Sequence, residues 1–266
     1  MTKSDAKKRI DKLRAEIDRY RYAYHVEDRS LVSEEALDSL KKELFDLEQE
    51  HPDLVTPDSP TQRVAGKPLV QFKKARHEVR GHAVRMNSLN DAFSEDDVRA
   101  WLLRLGNYLG EPIGGPFFCD LKMDGLAIEL TYRGGVFMRG ATRGDGETGE
   151  DVTQNLRTIE AIPLKLYGSD WPDELVVRGE AVLPRKEFER INREQEKLGG
   201  KLYANPRNVA AGAVRQLDPT ITASRKLDFH AWSIPASGDD DREHFKQFPT
   251  HDAEYRALRS WGFKTN

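Results

Sequence analysis

Cysteine and long apolar runs are the features that this sequence has least of. Among 266 residues there is one cysteine, Cys119, which excludes an intramolecular disulfide and a zinc site built from several cysteines. A single thiol favours a reducing compartment, and we therefore expect a cytoplasmic protein. No apolar run approaches the roughly 20 residues that span a bilayer. Residues 1–9 are polar and basic with no hydrophobic segment after them, so we expect neither a membrane span nor a secretory signal.

The composition otherwise bounds the class of protein but not its chemistry. Charged residues make up 33% and hydrophobic residues 38% of the chain, as in soluble globular proteins. The length allows one large domain or two smaller ones, each with a hydrophobic core. The formal net charge of −3 neither favours nor excludes nucleic acid, because a local basic patch can exist on a mildly acidic chain.

The first 50 residues have the apolar period of helices. Apolar and aromatic residues recur at three- and four-residue steps in two stretches: Ile10, Leu13, Ile17, Tyr20 and Tyr24, and then Leu37, Leu40, Leu44 and Leu47. Ser33 stands before the second stretch and is predicted to be its N-cap, with Glu34 and Glu35 in the first turn. Two such helices joined by residues 27–32 predict an antiparallel helical hairpin.

A change of composition marks a predicted domain boundary after this hairpin. Residues 51–66 hold three prolines among Asp, Ser and Thr, and such residues end helices and favour turns. We therefore expect a small helical domain at residues 1–66 and a second domain at residues 67–266. A further helix is predicted after Ser94, because Asp97 stands three residues on, as in a capping box.

The second domain mixes strands and helices. Its predicted strands cover residues 117–121, 126–132, 136–142 and 175–183, and its predicted helices cover residues 187–198 and 206–216. Arg133, Gly134 and Gly135 are predicted to form a tight turn between the second and third of these strands. Because the strands and helices follow no regular βαβ spacing, we predict an α+β fold rather than a doubly wound sheet.

The run Lys122-Met123-Asp124-Gly125 is the central chemical signal. It places a lysine at the end of one predicted strand and before a tight turn into the next, at the rim of a sheet. Such an amine is a nucleophile when neighbouring cations or burial lower its pKa, and its attack on an α-phosphate would give a phosphoramide link to AMP. The same four residues are also typical of a β-turn with Asp-Gly at its corner, and the run alone leaves both interpretations open.

Several blocks of the sequence, in the same order and at similar spacing, resemble the NAD-dependent DNA ligases. Around and after the lysine they are residues 120–127, 142–146, 149–153, 177–180, 204–208, 212 and 215–218; before it they are residues 24–25, 51–52 and 56–62. The resemblance covers essentially the whole chain. It implies an α+β architecture in which an N-terminal helical hairpin precedes a nucleotidyltransferase (adenylation) domain, ATP-grasp-like, with mixed, mainly antiparallel sheets.

The resemblance implies a reaction as well as a fold. Lys122 would attack NAD and take up AMP, with NMN as the leaving group; AMP would then pass to the 5′-phosphate at a nick, and the 3′-hydroxyl would seal it. Magnesium (Mg²⁺) would offset the charge that builds up on the phosphate. The implied partners are therefore NAD, Mg²⁺ and nicked double-stranded DNA, and we expect a monomer.

The resemblance also implies how the nucleotide is held. Asp120 takes the place of a glutamate near the adenine amino group, and Ser88 and Leu89 match the segment that lines the nucleotide pocket. Arg143 would contact the nucleotide, because its guanidinium suits ribose or phosphate oxygens. Glu180 would hold the ribose or position a metal-bound water.

Two further arginines are implied to bind DNA. Arg207 and Arg215 match residues that engage the nicked duplex near its 5′-phosphate. Each site residue also has a structural interpretation of its own: a solvated helix face for these two arginines, a glycine-rich turn for Arg143, and an ion pair for Glu180. Their occurrence together favours the family.

In the helical domain, the resemblance implies recognition of the NMN half of NAD. Tyr24, His25 and Asp38 match the family's positions, and Glu34 stands where the family has an aspartate. Leu37 replaces a tyrosine that would offer an aromatic face to nicotinamide. Because Leu37 also lies on the apolar helical stripe, core packing is its alternative interpretation.

The C-terminal residues depart from the family pattern. Residues 262–266 match a stretch that precedes the last strands of the adenylation domain, and two motifs with lysines near the phosphates have no counterpart. We therefore expect an incomplete ligase with little or no sealing activity alone. Two alternatives stay open: a nucleotide- or NAD-binding module without turnover, and a ligase-derived DNA-binding protein that uses Arg207 and Arg215.

Overall fold

The N-terminal helices form where their apolar period predicts them. The structure, a computed structural model, describes residues 2–64, 69–236, 244 and 246–266, so the boundary expected at residue 66 lies outside the described residues. Helix α1 spans Lys3–His25 and helix α2 spans Glu34–Glu50. The hydroxyl of Ser33 accepts a hydrogen bond from the N–H of Ala36, which confirms the predicted N-cap.

The two helices pack along the predicted apolar stripe. Their shared core consists of Ile10, Leu13, Ile17, Leu44 and Leu47, with Leu37, Leu40 and Leu54 packed against it. Two short 3-10 segments, Pro52–Leu54 and Pro60–Val64, follow α2. Tyr24 does not continue the stripe, since it is 60% exposed. The buried face of α1 rotates near its end, where Arg21 and Ala23 are buried instead, because this end of the helix packs on the second domain.

The second domain is built on antiparallel sheets, as predicted. Its strands are β1 Lys74–Arg76, β2 Glu78–Val79, β3 His82–Ala83, β4 Leu126–Arg133, β5 Val136–Thr142, β6 Thr148–Glu150, β7 Glu174–Val182 and β8 Asp228–Ser233. The largest sheet has the order β5-β4-β7-β8, and β1 pairs with β6 while β2 pairs with β3. All of these pairs are antiparallel. Gly134 and Gly135 have φ values of 53° and 73°, and they form the predicted tight turn between β4 and β5.

Helices cover the sheet and its connections. They are α3 Glu95–Leu109, α4 Thr153–Arg157, α5 Arg185–Lys197, α6 Pro206–Val214, α7 Pro219–Ala223 and α8 His251–Ser260. The capping box predicted at the start of α3 is confirmed: Ser94 accepts from the N–H of Asp97, and the Asp97 carboxylate accepts from the N–H of Ser94. None of the described helices combines the length and the apolar character needed to cross a membrane.

One predicted strand is wrong. Residues 117–121 form no strand, because β4, which follows them, already has β5 on one side and β7 on the other. The segment therefore cannot pair with β4, the strand that directly follows it in the chain. Side chains hold it instead, and the ring of Phe118 lies 5.1 Å from the ring of Tyr255 in α8.

Side chains along β4 alternate between the face of the sheet that builds the core and the opposite face, which we call the site face. Ile128, Leu130 and Tyr132 belong to the main hydrophobic cluster, together with residues from β7, β8, α6 and the segment 159–166. Successive side chains of a strand point to opposite faces, so Glu129 points to the other face of the same sheet. Polar groups are thereby collected on the face that does not build the core.

Buried arginines dock the helical domain on the core side of the sheet. Arg21 is 5% exposed and donates to the carbonyl oxygen of Gly262 at 3.3 Å. Arg63 is 7% exposed and donates to three carbonyl oxygens, those of Arg157, Ile159 and Ile162. Because each guanidinium offers several fixed donors, two side chains satisfy four backbone acceptors.

Candidate active site

A cleft of about 1110 Å³ opens on the site face of the large sheet. Its volume lies slightly above the usual range of small-molecule pockets, roughly 300–1,000 Å³. Eight of the residues predicted from the sequence line it: Ser88, Leu89, Asp120, Lys122, Arg143, Glu180, Arg207 and Arg215. These residues come from well-separated parts of the chain, and the fold brings them to one place.

Lys122 enters this cleft from the segment that precedes β4. No side chain in the described ranges forms an ion pair or a hydrogen bond with its amine. The turn after it packs directly on β7, because a Cβ added at Gly125 would lie 2.2 Å from the carbonyl oxygen of Ala181. The glycine of the Lys-x-Asp-Gly run is therefore required by close packing, and this packing fixes the base of the lysine side chain.

Glu180 is a half-buried carboxylate of the cleft. It lies on β7 opposite Ala127 of β4, beside the turn that follows the lysine. Burial raises the pKa of Glu180, and the N–H of Gly125 and the positive charges of Lys122 and Arg207 offset part of this increase. An acceptor this close to a cluster of cations can bind a sugar hydroxyl or a metal-bound water.

Arg143 stands at the end of β5, where the chain makes a glycine-rich turn. Its Nη1 donates to Oγ of Ser88 at 2.9 Å, so two residues predicted for one nucleotide pocket are in contact. Gly144 has a φ of 56°, and a Cβ there would lie 1.9 Å from the carbonyl oxygen of Thr148. Asp145 has a structural role, since its carboxylate accepts from two N–H groups of the same turn at 2.9 and 2.8 Å.

Asp120 already uses both of its carboxylate oxygens. Oδ1 accepts from the N–H of Leu121 at 2.7 Å, and Oδ2 accepts from the hydroxyl of Tyr255 in α8. Burial and the Asp120 carboxylate together raise the pKa of Tyr255, which keeps this hydroxyl protonated as a donor. In this structure, Asp120 thus anchors the lysine segment to α8.

Two arginines of the cleft are paired with carboxylates at its rim. Nε of Arg207 lies 3.5 Å from Asp124, within the Lys-x-Asp-Gly run. Arg215 forms a two-pronged pair with Glu150, with distances of 2.5 and 2.9 Å. Both arginines remain more than half exposed. A surface ion pair of this kind is weak, about 0–1 kcal/mol, so an incoming anion can replace the carboxylate partner.

Three residues predicted in the helical domain, Tyr24, His25 and Asp38, do not line the cleft. Tyr24 and His25 form an edge-to-face ring pair with centroids 4.9 Å apart, and Asp38 is exposed on α2. Burial lowers the pKa of His25 to about 4, so its imidazole is neutral near pH 7. The side chain of Glu34 lies outside the described part of the structure. Leu37 packs against the helical core, as its apolar interpretation predicted.

Comparison with protein-family models decides what this arrangement belongs to. Residues 70–266 match the NAD-dependent DNA ligase adenylation domain. Residues 3–65 match the DNA ligase-like, N-terminal NAD+-binding domain. The chain belongs to the NAD-dependent DNA ligases.

Relatives from several bacteria agree with this assignment. The DNA ligase of Ectopseudomonas mendocina is 47% identical over 269 residues, covering 97% of this chain and 33% of that protein. The DNA ligase of Acetivibrio thermocellus is 47% identical, covering 98% of this chain and 37% of the relative. The DNA ligase of Coprothermobacter proteolyticus is 43% identical, covering 100% of this chain and 38% of the relative. The chain therefore spans about a third of the length of the curated relatives that it matches.

The ligase cleft also contains residues that were not predicted from the sequence. Trp232 lines it from β8, and the neighbouring Phe229 and Ala231 belong to the core. The alternation of apolar and polar residues over 228–233 is the signal that identifies this strand. His251, at the first turn of α8, also lines the cleft, but nothing in the sequence around it indicates this position.

A preformed metal cage is absent from the described part of this ligase chain. Among the residues that the structure describes, no group of three or more His, Cys, Asp or Glu side chains is arranged to hold a metal ion. Mg²⁺ commonly binds through one or two carboxylates, several waters and substrate phosphates rather than an all-protein cage. Glu180 is the carboxylate of the cleft that suits such a water-mediated site.

Proposed function

We propose that this chain is the AMP-accepting part of a DNA ligase and that Lys122 is its nucleophile. Nζ of Lys122 attacks the α-phosphorus of NAD; a P–N bond forms, the P–O bond to NMN breaks, and NMN leaves. The amine loses its proton, and the product is a phosphoramide-linked AMP-lysine. The observation that carries this proposal is the amine of Lys122, which has no hydrogen-bond or ion-pair partner among the described residues and lies in a cleft that also contains Arg143, Arg207 and Glu180.

The cleft suits the AMP half of NAD. Arg143 donates to ribose or phosphate oxygens, and Ser88, which it contacts at 2.9 Å, lines the same pocket with Leu89. Glu180 accepts from the ribose or positions a water on Mg²⁺, whose charge would offset the negative charge on the phosphate. Asp120, in the same segment as the lysine, is proposed to lie near the adenine amino group. Nucleotidyl transfer depends mainly on such positioning and charge stabilisation.

The helical domain is proposed to recognise the NMN half through Tyr24, His25, Glu34 and Asp38. Tyr24, His25 and Asp38 lie away from the cleft, so one NAD molecule can contact both groups only if the helical domain leaves its docked position on the second domain. Deletion of residues 1–66 should abolish the preference for NAD over ATP. Calorimetry that gives the same NAD affinity with and without these residues would contradict this part of the proposal.

The substrate of the AMP-lysine is proposed to be nicked double-stranded DNA. Arg207 and Arg215 would exchange their weak carboxylate pairs for phosphate contacts near the 5′ end of the nick. Phosphate contacts make binding strongly dependent on salt, so a salt titration of wild type against Arg215→Gln measures this role. Because its substrate is DNA and its cofactor NAD, we propose that the protein acts in the cytoplasm, as a monomer. Size-exclusion chromatography tests the second point.

Intact mass spectrometry tests the nucleophile directly. The purified chain, incubated with NAD and Mg²⁺, should gain the mass of one AMP, and added NMN should remove it. Lys122→Arg keeps the charge but lacks a usable nucleophile, and it should gain nothing. Lys201→Arg, an exposed lysine outside the cleft, is the matched control. An AMP adduct at wild-type occupancy in Lys122→Arg would show that another residue is the nucleophile.

A further inference from the structure

Three charged side chains are buried side by side beneath the cleft. Glu129, in the middle of β4, has a side chain that is 1% exposed; those of His77 and Arg178 are 0% and 8% exposed. Oε1 of Glu129 lies 2.9 Å from Nδ1 of His77, and Oε2 accepts from Nε of Arg178 at 2.9 Å. Charged residues are seldom fully buried unless paired, and breaking such a group is strongly unfavourable.

The hydrogen-bond partners determine the charge of this group. Nε2 of His77 lies 2.9 Å from the carbonyl oxygen of Arg143, and a carbonyl only accepts. An ionised carboxylate also only accepts, so both ring nitrogens of His77 must donate and the imidazole must be protonated. Burial and the charge of Arg178 act to lower the pKa of His77. The hydrogen bond and charge of Glu129 and the carbonyl of Arg143 act in the opposite direction, and the pKa of His77 is raised overall. Two cations and one anion leave a net positive charge under the cleft.

Each cation of this group also holds a piece of main chain at the rim of the cleft. His77 binds the carbonyl oxygen of Arg143, whose side chain contacts Ser88. Arg178 donates from Nη1 to the carbonyl oxygen of Arg85 at 2.9 Å and from Nη2 to that of Val84 at 2.7 Å. Residues 84 and 85 lead directly into the segment that carries Ser88. All three nitrogens of the Arg178 guanidinium are therefore engaged, although it borders the cleft.

We propose that His77, Glu129 and Arg178 are positioning residues for the nucleotide. His77 fixes Arg143, Arg178 fixes the segment that leads to Ser88, and Glu129 joins the two, so that both walls of the cleft are set by one buried group. This inference rests on the proposed nucleotide-binding function of the cleft. No member of the group needs to touch the ligand, because the main chain that His77 and Arg178 hold carries or leads to the side chains proposed to contact it.

Double-mutant cycles on AMP affinity test whether His77 acts through Arg143. The side chain of asparagine is too short for its amide to reach the position of Nε2, which contacts the Arg143 carbonyl oxygen. The longer side chain of glutamine can place its amide N–H there. His77→Asn should weaken AMP binding by roughly 10-fold, and His77→Gln should stay within about 3-fold of wild type. When Arg143→Ala is already present, His77→Asn should add little, because coupled residues are not additive. His82→Asn, an exposed histidine of β3, is the control and should bind AMP like wild type.

The possible results separate this inference from the proposed function. If His77→Asn and Arg143→Ala weaken AMP binding independently, or if His77→Asn binds normally, the positioning role is wrong. If the cycle behaves as expected but no AMP is ever found on Lys122, the proposed reaction fails and the positioning role stands. A ring ¹⁵N NMR spectrum of the unaltered chain provides a measurement that needs no variant. Both nitrogens of His77 should be protonated near pH 7, and one bare nitrogen would overturn the cationic assignment.

Discussion

Adding one methyl group at Gly125 should misplace Lys122, the proposed nucleophile, without removing any functional group. A Cβ at this position would lie 2.2 Å from the carbonyl oxygen of Ala181 and 2.9 Å from Cγ1 of Val182. The carbonyl belongs to the backbone of β7, in the centre of the large sheet, and it cannot rotate away as a side chain can. The turn that carries Lys122 must therefore move instead.

The size of this movement sets the expected loss of activity. Ordinary van der Waals contact begins at 3.4 Å, so the turn must retreat by more than 1 Å. A misplacement of about 1 Å can cost on the order of 100-fold in rate, which corresponds to about 2.7 kcal/mol of activation free energy. Binding of NAD should change much less, because the residues that face the nucleotide from other segments are unaltered.

Rapid-quench measurement of AMP transfer from labelled NAD gives the rate constant at saturating NAD. Gly125→Ala should be slower by roughly 100-fold while its circular dichroism spectrum and cooperative unfolding are retained. Gly114→Ala is the matched control, because a Cβ at Gly114 would meet nothing within 4 Å. A Gly125→Ala protein that forms AMP-lysine at the rate of the Gly114→Ala control would refute the argument that close packing positions the nucleophile.

Three further predictions address docking, anchoring and pH dependence. Arg63→Met removes three hydrogen bonds to buried carbonyl oxygens. In urea titrations it should lower the free energy of unfolding by about 3 kcal/mol. An unchanged urea midpoint would show that the docking contacts are weak. Tyr255→Phe removes the donor to Asp120 and should slow AMP transfer about 5-fold, a loss of about 1 kcal/mol, whereas a wild-type rate would show that the anchor is dispensable. Burial lowers the pKa of His25 from 6.5 to about 4, so the folded state disfavours the proton and the free energy of unfolding should decrease as the pH falls from about 6.5 to 4. Urea titrations across this range should show a weaker pH dependence in His25→Gln, and identical curves would contradict the assignment.

Much of the local structure follows from the sequence alone. The apolar period of residues 10–17 and 37–47 produces the helical core, and Ser33 and Ser94 cap helices as their positions predict. These features depend on neighbours within a few residues, so a single segment contains all the information. The Lys-x-Asp-Gly run, taken with the other family blocks, likewise indicated the family and the lysine.

Other features depend on partners that are distant in the chain. The strand predicted at residues 117–121 failed because β4 had no free edge, which is a property of the sheet order and not of the segment. The predicted aromatic stripe failed at Tyr24 because the end of α1 buries Arg21 against the second domain.

The charge state of the buried group beneath the cleft was likewise decided only by the tertiary structure. His77, Glu129 and Arg178 are separated by 52 and 49 residues, and no period or motif connects them. Their pairing results from the register of β4 with β7 and from the turn that follows β5. The sequence alone determined the helices and their caps, because short-range sterics and hydrogen bonds suffice for them, and its family blocks indicated the candidate lysine. Which charges share a buried site, and therefore which protonation state each one adopts, required the fold, since burial and long-range contact set the free energy of a charge.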